Sequence, residues 1–173
     1  DTRPNAALGV LVATAGLDTA AAPYGIGCHP WLSPGDAAVD DGTLRVDATS
    51  QVTVDDRLLP TGTRPLSGAE DRTTPPPLAG VALDDAFVDV TRDADGLSWI
   101  VLGSPDGHGA AMWMDGSMDT WQVCTGNGIP RIDRLGVAAE PMSCIADAFR
   151  TGERLVRLEP GTTHEVTWGM TLV

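Results

Sequence analysis

The chain has 173 residues, with 24 acidic residues against 11 cationic ones, all of them arginine, so its formal net charge is −13 at pH 7. This balance argues against a nucleic-acid groove or an anionic membrane surface as the main partner, because both need clustered positive charge. The length fits a single domain over residues 1–173, and no apolar run approaches the ~20 residues of a transmembrane helix.

The first half of the chain predicts short strands and one long polar stretch. Residues 7–15 have the composition of a buried strand. Residues 23–36 form a loop rich in large side chains, which favours packing or a role in a site. Residues 43–54 alternate loosely and predict a strand pair. Residues 59–78 are polar and proline-rich, which predicts an exposed excursion with a polyproline-like end.

The second half predicts strands at short spacing, with Asp or Gly between them. Asp95-Gly96 is the strongest hairpin-turn signal. Residues 147–151 predict one helical turn that Gly152 ends. The composition, with 20 Gly and 13 Pro, leaves little room for longer helices, so the chain is predicted to be all-β, with antiparallel sheets packed face to face. The strands are predicted at residues 86–91, 97–102, 110–114, 120–124, 135–140, 154–158 and 163–173.

The cysteines indicate the redox environment. Cys28, Cys124 and Cys144 are an odd and widely spaced set without a Cys-x-x-Cys pair, which excludes a zinc ribbon or a thioredoxin-like motif. We interpret them as buried free thiols in a reducing compartment, and therefore predict a cytoplasmic protein. The chain begins Asp-Thr-Arg, without Met or a signal-like segment, so either something upstream was removed or this is a piece of a longer chain.

Two residues are the main candidates for chemistry. His29 lies in a Gly-rich, aromatic setting, whereas His108 and His164 are interpreted as solvated or structural. Glu140 ends the apolar run of residues 135–139, and burial there would raise its pKa from ~4.3 toward neutrality.

The remaining polar and aromatic candidates leave alternatives open. On spacing alone Asp84 is a structural turn residue. Gln122 lies between apolar neighbours and either satisfies a backbone group or faces a polar ligand. The five tryptophans are mostly core residues, although one or two could stack on a sugar in a cleft. The chain lacks the glycine-rich phosphate loop, HExxH, GxSxG and GxGxxG motifs, which argues against a nucleotide enzyme or a serine hydrolase.

Five groups of motifs occur in one order along almost the whole chain. They are Pro-Tyr-Gly-Ile-Gly-Cys-His-Pro-Trp-Leu (23–32), Leu-Asp-Asp-Ala-Phe (83–87), Gln-Val-Cys-Thr-Gly-Asn (122–127), Gly-Val-Ala-Ala-Glu-Pro-Met-Ser-Cys with Asp-Ala-Phe (136–144, 147–149), and Leu-Glu-Pro-Gly with Trp-Gly (158–161, 168–169). Together they resemble the aldose 1-epimerase (galactose mutarotase) family, and most closely its branch with His-Pro-Tyr-Leu and Glu-Pro-Met motifs.

The resemblance implies a large antiparallel β-sandwich that interconverts the anomers of a free hexose of the glucose or galactose type. It implies His29 as the acid and Glu140 as the base, with Asp84, Gln122 and Trp31 in the substrate-binding set. Neither a cofactor nor a metal is implied, since Glu and His can take and give the protons of ring opening. We expect a bell-shaped pH profile of kcat/KM, with its acid limb from the Glu and its basic limb from the His.

The chain departs from the family pattern at several places. Trp31 replaces the usual Tyr, Cys124 replaces the usual aromatic, and Ile145-Ala146 replaces Pro-Pro. Only about the last three-fifths of a family chain is matched, without the N-terminal Asn-Arg pair and a further His. Besides the enzyme, the hypotheses are therefore a non-catalytic sugar-binding or regulatory module of the same fold and an inactive fragment. The oligomeric state is left open, a homo-oligomer being one alternative.

Overall fold

The computed structural model describes residues 7–15, by their backbone, 19–71 and 75–173. These residues form thirteen strands and one short α-helix. The strands are β1 (Ala7–Ala15), β2 (Ala22–Tyr24), β3 (Trp31–Leu32), β4 (Thr43–Val46), β5 (Ala48–Val54), β6 (Pro60–Pro65), β7 (Asp84–Val90), β8 (Ser98–Gly103), β9 (Gly109–Met114), β10 (Thr120–Cys124), β11 (Val137–Met142), β12 (Val156–Leu158) and β13 (Thr162–Leu172), and the helix α1 is Ala148–Thr151.

The strands form two large antiparallel sheets and a small ribbon. One sheet has five strands in the order β1-β13-β9-β8-β4, and the other has six in the order β3-β11-β10-β7-β5-β6. The ribbon pairs β12 with β2. The predicted all-β class with face-to-face antiparallel sheets is thereby confirmed, and so are the strand at 7–15 and the seven strands of the second half, within two residues at most of their ends.

The core lies between the two sheets. Fully buried side chains of the five-stranded sheet, such as Leu44 and Ile100, belong to one cluster with Trp121 and Val123 of the six-stranded sheet. The indole Nε1 of Trp121 donates a buried hydrogen bond to the Ser98 hydroxyl at 2.9 Å, which joins the sheets through a polar contact. Burying this apolar surface is the main stabilising contribution to the sandwich.

Two predicted strand pairings are wrong. Residues 43–54 were predicted to form two strands that pair with each other. They do form β4 and β5, but β4 lies in the five-stranded sheet and β5 in the six-stranded one. The turn at Asp95-Gly96 exists, with a φ of 79° at Gly96, yet it joins β7 to β8, which also belong to different sheets. In neither case does the chain reverse, because residues 43–54 run in one direction and β7 and β8 both pair antiparallel to them. The chain instead passes from one sheet to the other, at Asp47 and across residues 91–97.

The predicted exposed excursion over 59–78 is also corrected. It contains β6, which pairs with β5 as the edge strand of the six-stranded sheet. Proline at both ends of β6 fits an edge position, because proline cannot donate to a neighbouring strand. Leu78 at the other end of the stretch is fully buried in the core. Residues 72–74 of this prediction lie outside the described residues.

The helical turn before Gly152 is confirmed as α1, and Gly152 ends it in the left-handed conformation with a φ of 74°. The three cysteines are free, as predicted, but only Cys144 is buried, whereas Cys28 and Cys124 are half-buried. Within the described ranges, no helix combines the length and apolar character needed to cross a membrane.

Candidate active site

The candidate site lies on the face of the six-stranded sheet that is turned away from the core. Glu140 of β11 stands opposite Gln122 of β10, and Gln122 stands opposite Ala86 of β7. Residues directly opposite one another share a face of the sheet, and so do residues two apart along a strand. Asp84, two residues before Ala86, therefore joins Glu140 and Gln122 on this outer face.

Glu140 is a buried carboxylate in the middle of β11, rather than at the end of a strand as the sequence suggested. Its side chain is 11% exposed. Burial raises its pKa above the ordinary value, the positive charge of His29 opposes that shift, and the negative charge of Asp84 adds to it. A carboxylate with a raised pKa holds a proton more tightly than a surface one, which suits a general base.

His29 contacts Glu140 from the solvent side. Its Nε2 lies 3.3 Å from Glu140 Oε1, and its side chain is 60% exposed. The loop that carries it is attached to β11, because the Cys28 amide donates to the Pro141 carbonyl at 3.2 Å and the Ala139 amide donates to the Pro30 carbonyl at 3.1 Å. These backbone hydrogen bonds fix the loop at the edge of β11, while the exposed imidazole ring of His29 keeps room to move.

Trp31 supports the imidazole. Its ring stacks on His29 with the ring centres 5.9 Å apart and the planes 22° from parallel. The indole is 36% exposed. It does not line the cleft beside Glu140 but a separate groove, together with Leu32 and Ser33. The structure therefore brings Trp31 to the histidine rather than to the other predicted substrate-binding residues.

Asp84 and Gln122 form a polar pair beside the carboxylate. Gln122 Nε2 donates to Asp84 Oδ1 at 3.0 Å, so both side chains are held in place across β7 and β10. With Glu140 they line an open cleft of about 210 Å³. Amide and carboxylate groups held at the floor of a cleft can exchange hydrogen bonds with the hydroxyls of a ligand.

Sequence reasoning missed the rest of the cleft. Most of its lining is apolar. It comes from the hairpin of β5 and β6, from β7, and from the end of β11 with the segment after it: Val52, Val54, Leu58, Pro60, Ala86, Met142, Ile145 and Ala146, with Thr120 as the remaining polar residue. The β-branched pattern of β5 is typical of a core strand, so the sequence carried no signal that it borders a site.

The other histidines stand apart from this arrangement. His108 is exposed at the β8–β9 turn. His164, in β13, forms a hydrogen bond with the hydroxyl of Tyr24 in β2. Across the residues that the structure describes, no group of three or more His, Cys, Asp or Glu side chains is placed to hold a metal ion. The arrangement could transfer protons through one buried carboxylate and one imidazole, beside amide and carboxylate groups that are able to exchange hydrogen bonds with hydroxyls.

Comparisons with known proteins identify relatives. The aldose 1-epimerase family model matches residues 5–171. The uncharacterized protein YihR of Escherichia coli K12 is 29% identical over 160 residues, which are 92% of this chain and 49% of YihR. The chain therefore spans about half the length of the curated relative it matches.

Solved structures share the fold at low sequence identity. A galactose mutarotase-like protein from Clostridium acetobutylicum superposes with a TM-score of 0.78 at 12% identity, over 96% of this chain and 52% of that protein. A galactose 1-epimerase from Lactobacillus acidophilus gives a TM-score of 0.76 at 16% identity, over 98% and 53%. The β-sandwich of this chain therefore shares the fold of about half of each of those proteins.

Proposed function

The chain belongs to the aldose 1-epimerase family, and from this premise we propose that it interconverts the α and β anomers of a free, neutral aldose of the glucose or galactose type. Glu140 is the general base and His29 the general acid. The observation that carries the proposal is the contact between a buried carboxylate and an exposed imidazole, 3.3 Å apart, at the edge of a cleft with hydroxyl-binding groups.

Ring opening uses both groups at once. Glu140 takes the proton of the C1 hydroxyl, the C1–O bond to the ring oxygen breaks, and protonated His29 gives its proton to that oxygen. The product is the open-chain aldehyde with a C5 hydroxyl. After rotation about C1–C2, neutral His29 takes the C5 hydroxyl proton as its oxygen adds to the other face of the carbonyl, and protonated Glu140 returns a proton to the C1 oxygen.

The short distance between the two groups supports their acting on the same sugar. The C1 hydroxyl oxygen and the ring oxygen are both bonded to C1. The base that acts on the hydroxyl and the acid that acts on the ring oxygen must therefore lie close together. In the free protein Glu140 and His29 touch, and the sugar has to enter between them. Glu140 is fixed in β11, whereas the imidazole is largely exposed, so His29 is the member that moves to admit the sugar.

The test is polarimetry of freshly dissolved α-galactose and α-glucose. The wild-type chain should accelerate the change in optical rotation, and Glu140→Gln should abolish at least about 99% of that acceleration, since a positioned base typically contributes ~100-fold or more. Asp85→Asn is the matched control, because this carboxylate bonds Gln51 instead of lining the cleft. No acceleration by the folded wild-type chain would overturn the proposal.

A second candidate is sugar binding without turnover. It is favoured by the Asp84–Gln122 pair, which is preformed and does not depend on His29. Calorimetric titration separates the two: saturable binding of galactose without acceleration of mutarotation would assign the chain to a binding module.

A further inference from the structure

Trp31 lies between His29 and a pair of glycines on the outer face of the six-stranded sheet. Ala138 of β11 stands opposite Trp31. Glu140, which contacts His29, is two residues further along the chain, and Gly136 is two residues back, in the opposite direction. Because residues two apart along a strand share a face of the sheet, the indole has the imidazole on one side and glycine on the other.

The glycines leave room for the indole. A Cβ atom on Gly126 would lie 3.3 Å from both Cη2 and Cζ3 of Trp31, and one on Gly136 would lie 3.8 Å from its Cε3. The six-membered ring of the indole therefore rests against bare backbone. Gly126 is buried and has a φ of 71°, so its backbone conformation disfavours a larger residue as much as this contact does.

The loop that follows Gly126 is fixed to the rest of the sandwich. Arg134, near its end, has a side chain that is only 17% exposed. The guanidinium donates to the Val81 carbonyl at 2.7 Å, to the Leu78 carbonyl at 2.9 Å and to Asn127 Oδ1 at 3.1 Å. Because a buried polar group with several partners makes its surroundings rigid, the indole of Trp31 rests against a fixed surface.

The imidazole of His29 depends on contacts with other side chains, since it is 60% exposed. It pairs with Glu140 and stacks on Trp31, whose ring centre is 5.9 Å away. In the function proposed above, on which this step rests, a sugar enters between Glu140 and His29. The sugar breaks the first contact and leaves the second. Stacking includes no hydrogen bond, so the imidazole can shift along the indole without turning away from the site.

We infer that Trp31 is a positioning residue for the proposed reaction, which holds the imidazole of His29 beside the bound sugar, and that Gly126 fixes the indole in this place. An unrestrained histidine has three χ1 wells and two orientations of its ring, about six arrangements in all. Without the stack, proton transfer should slow by about threefold to sixfold. The loss should appear in kcat, because the proposed sugar-binding groups are Asp84 and Gln122.

Two substitutions of Trp31 separate this role from a direct contact with the sugar, which would change KM instead. Trp31→Phe keeps a flat aromatic face, and Trp31→Leu keeps an apolar side chain without one. In polarimetry of α-galactose, Trp31→Leu should lower kcat by about threefold to sixfold and leave KM within about twofold of the wild type. Trp31→Phe should retain at least about half of the wild-type kcat.

A double variant shows whether the effect passes through the imidazole. In the His29→Asn background, Trp31→Leu should cause no further loss of kcat, because a residue that acts through His29 then has nothing left to position. A residue that only stabilises the fold would cause the same loss in both backgrounds.

The contact of the indole with Gly126 is tested by two glycines of one loop. Gly126 and Gly128 both have a φ of 71°, so alanine is strained in the same way at each. A Cβ on Gly128 meets no atom within 4 Å, whereas one on Gly126 would meet Trp31 and, at 2.9 Å, the Ile132 carbonyl. Well below the unfolding midpoints, Gly126→Ala should reproduce the kcat loss of Trp31→Leu, and Gly128→Ala should not. Equal kcat in the two variants would remove Gly126 from the assignment.

The order of the imidazole is measured without any turnover. NMR relaxation of ¹³C-labelled histidine rings reports it, and the chain has three histidines to assign. The measurement is made in Glu140→Gln, which removes the ion pair with His29. The order parameter of the His29 ring should exceed that of His108 in its exposed turn, and Trp31→Leu should lower it to about the value of His108.

Three results would overturn the inference and leave the proposed function intact: a raised KM with unchanged kcat in Trp31→Leu, a loss that persists in the His29→Asn background, or an order parameter of the His29 ring that Trp31→Leu does not change. If the wild-type chain does not accelerate mutarotation, the proposed function fails. The order parameter then decides by itself whether Trp31 positions His29.

Discussion

The two faces of the six-stranded sheet are built from the same strands and have opposite character. On the inner face, Phe87, Trp121 and Val123 are at most 2% exposed and pack against the other sheet. On the outer face, the adjacent residues Ala86 and Gln122 lie beside Glu140 in an open cleft. Because side chains alternate along a strand, a shift of one residue separates the positions that hold the fold from those that could act on a substrate.

This division predicts that substitutions of the polar residues at the cleft mainly change activity and alter stability little, whereas substitutions on the inner face do the reverse.

Replacing His29 by Asn should reduce the rate of mutarotation by about 100-fold, because it removes the proposed general acid. The unfolding midpoint should stay unchanged, since the imidazole is largely exposed and its ion pair with Glu140 is worth little to stability. Polarimetry and thermal unfolding measure the two effects. His108→Asn, in an exposed turn, is the matched control and should be fully active. Near-wild-type activity of His29→Asn would remove His29 from the mechanism.

Replacing Trp121 by Phe on the inner face should lower the free energy of unfolding by about 1–3 kcal/mol, because the Ser98 hydroxyl loses its buried indole partner. The value of kcat/KM at a temperature well below the unfolding midpoint should remain within about twofold of the wild type. Urea denaturation and polarimetry supply the two numbers. A variant as stable as the wild type would contradict the contribution of this hydrogen bond to stability. A variant that is folded but inactive would show that the two faces are not independent.

Asp84→Asn should raise KM for galactose by about tenfold, because it removes a charged hydrogen-bond acceptor but preserves the shape of the side chain. It should also lower the pKa of Glu140, whose ionisation Asp84 opposes. Steady-state kinetics of the variant beside Asp85→Asn, its sequence neighbour on the other face, measure the change. A similar KM for both variants would exclude Asp84 from sugar binding.

Glu140→Gln should make the protein slightly more stable at neutral pH. Burial raises the pKa of Glu140 in the folded protein above its pKa in the unfolded chain. As the pH rises from the lower of these two pKa values to the higher, ionisation of Glu140 favours the unfolded chain and stability falls. The neutral amide removes this penalty, and we expect the melting temperature at pH 7 to increase by up to about 2–4 °C. The difference should disappear below about pH 4, where Glu is protonated in both states. A lower melting temperature at pH 7 would contradict the account.

Much of the fold could be predicted from local sequence. Glycine and aspartate between short apolar runs indicated the positions of β7 to β13, and Gly152 indicated the end of α1. The assignment of strands to sheets could not be obtained in this way. The turn at Asp95-Gly96 is favourable whether or not the strands beside it pair, and only the packing of the two sheets decides that β7 and β8 separate.

The candidate site was predictable to a smaller extent. An acidic residue after an apolar run identified Glu140 as unusual, but spacing alone made Asp84 a turn residue, and only the family resemblance grouped it with Gln122. Three strands that are distant in sequence bring these side chains together. Leu58 was missed because a leucine in a polar turn carries no local signal, and its place at the cleft depends on the pairing of β5 with β6.

The most direct test of the central claim, that the buried carboxylate of the outer face is the catalytic base, is the pH dependence of kcat/KM measured together with the titration of Glu140. Selective ¹³C labelling of the Glu carboxyls, assigned with Glu140→Gln, gives that titration by NMR. The account predicts that the acid limb lies above the ordinary Glu pKa of ~4.3, that it coincides with the Glu140 titration, and that both move to lower pH together in Asp84→Asn. The claim would be contradicted by activity that persists well below the measured pKa of Glu140. It would also be contradicted if Asp84→Asn shifted the acid limb without shifting the titration of Glu140.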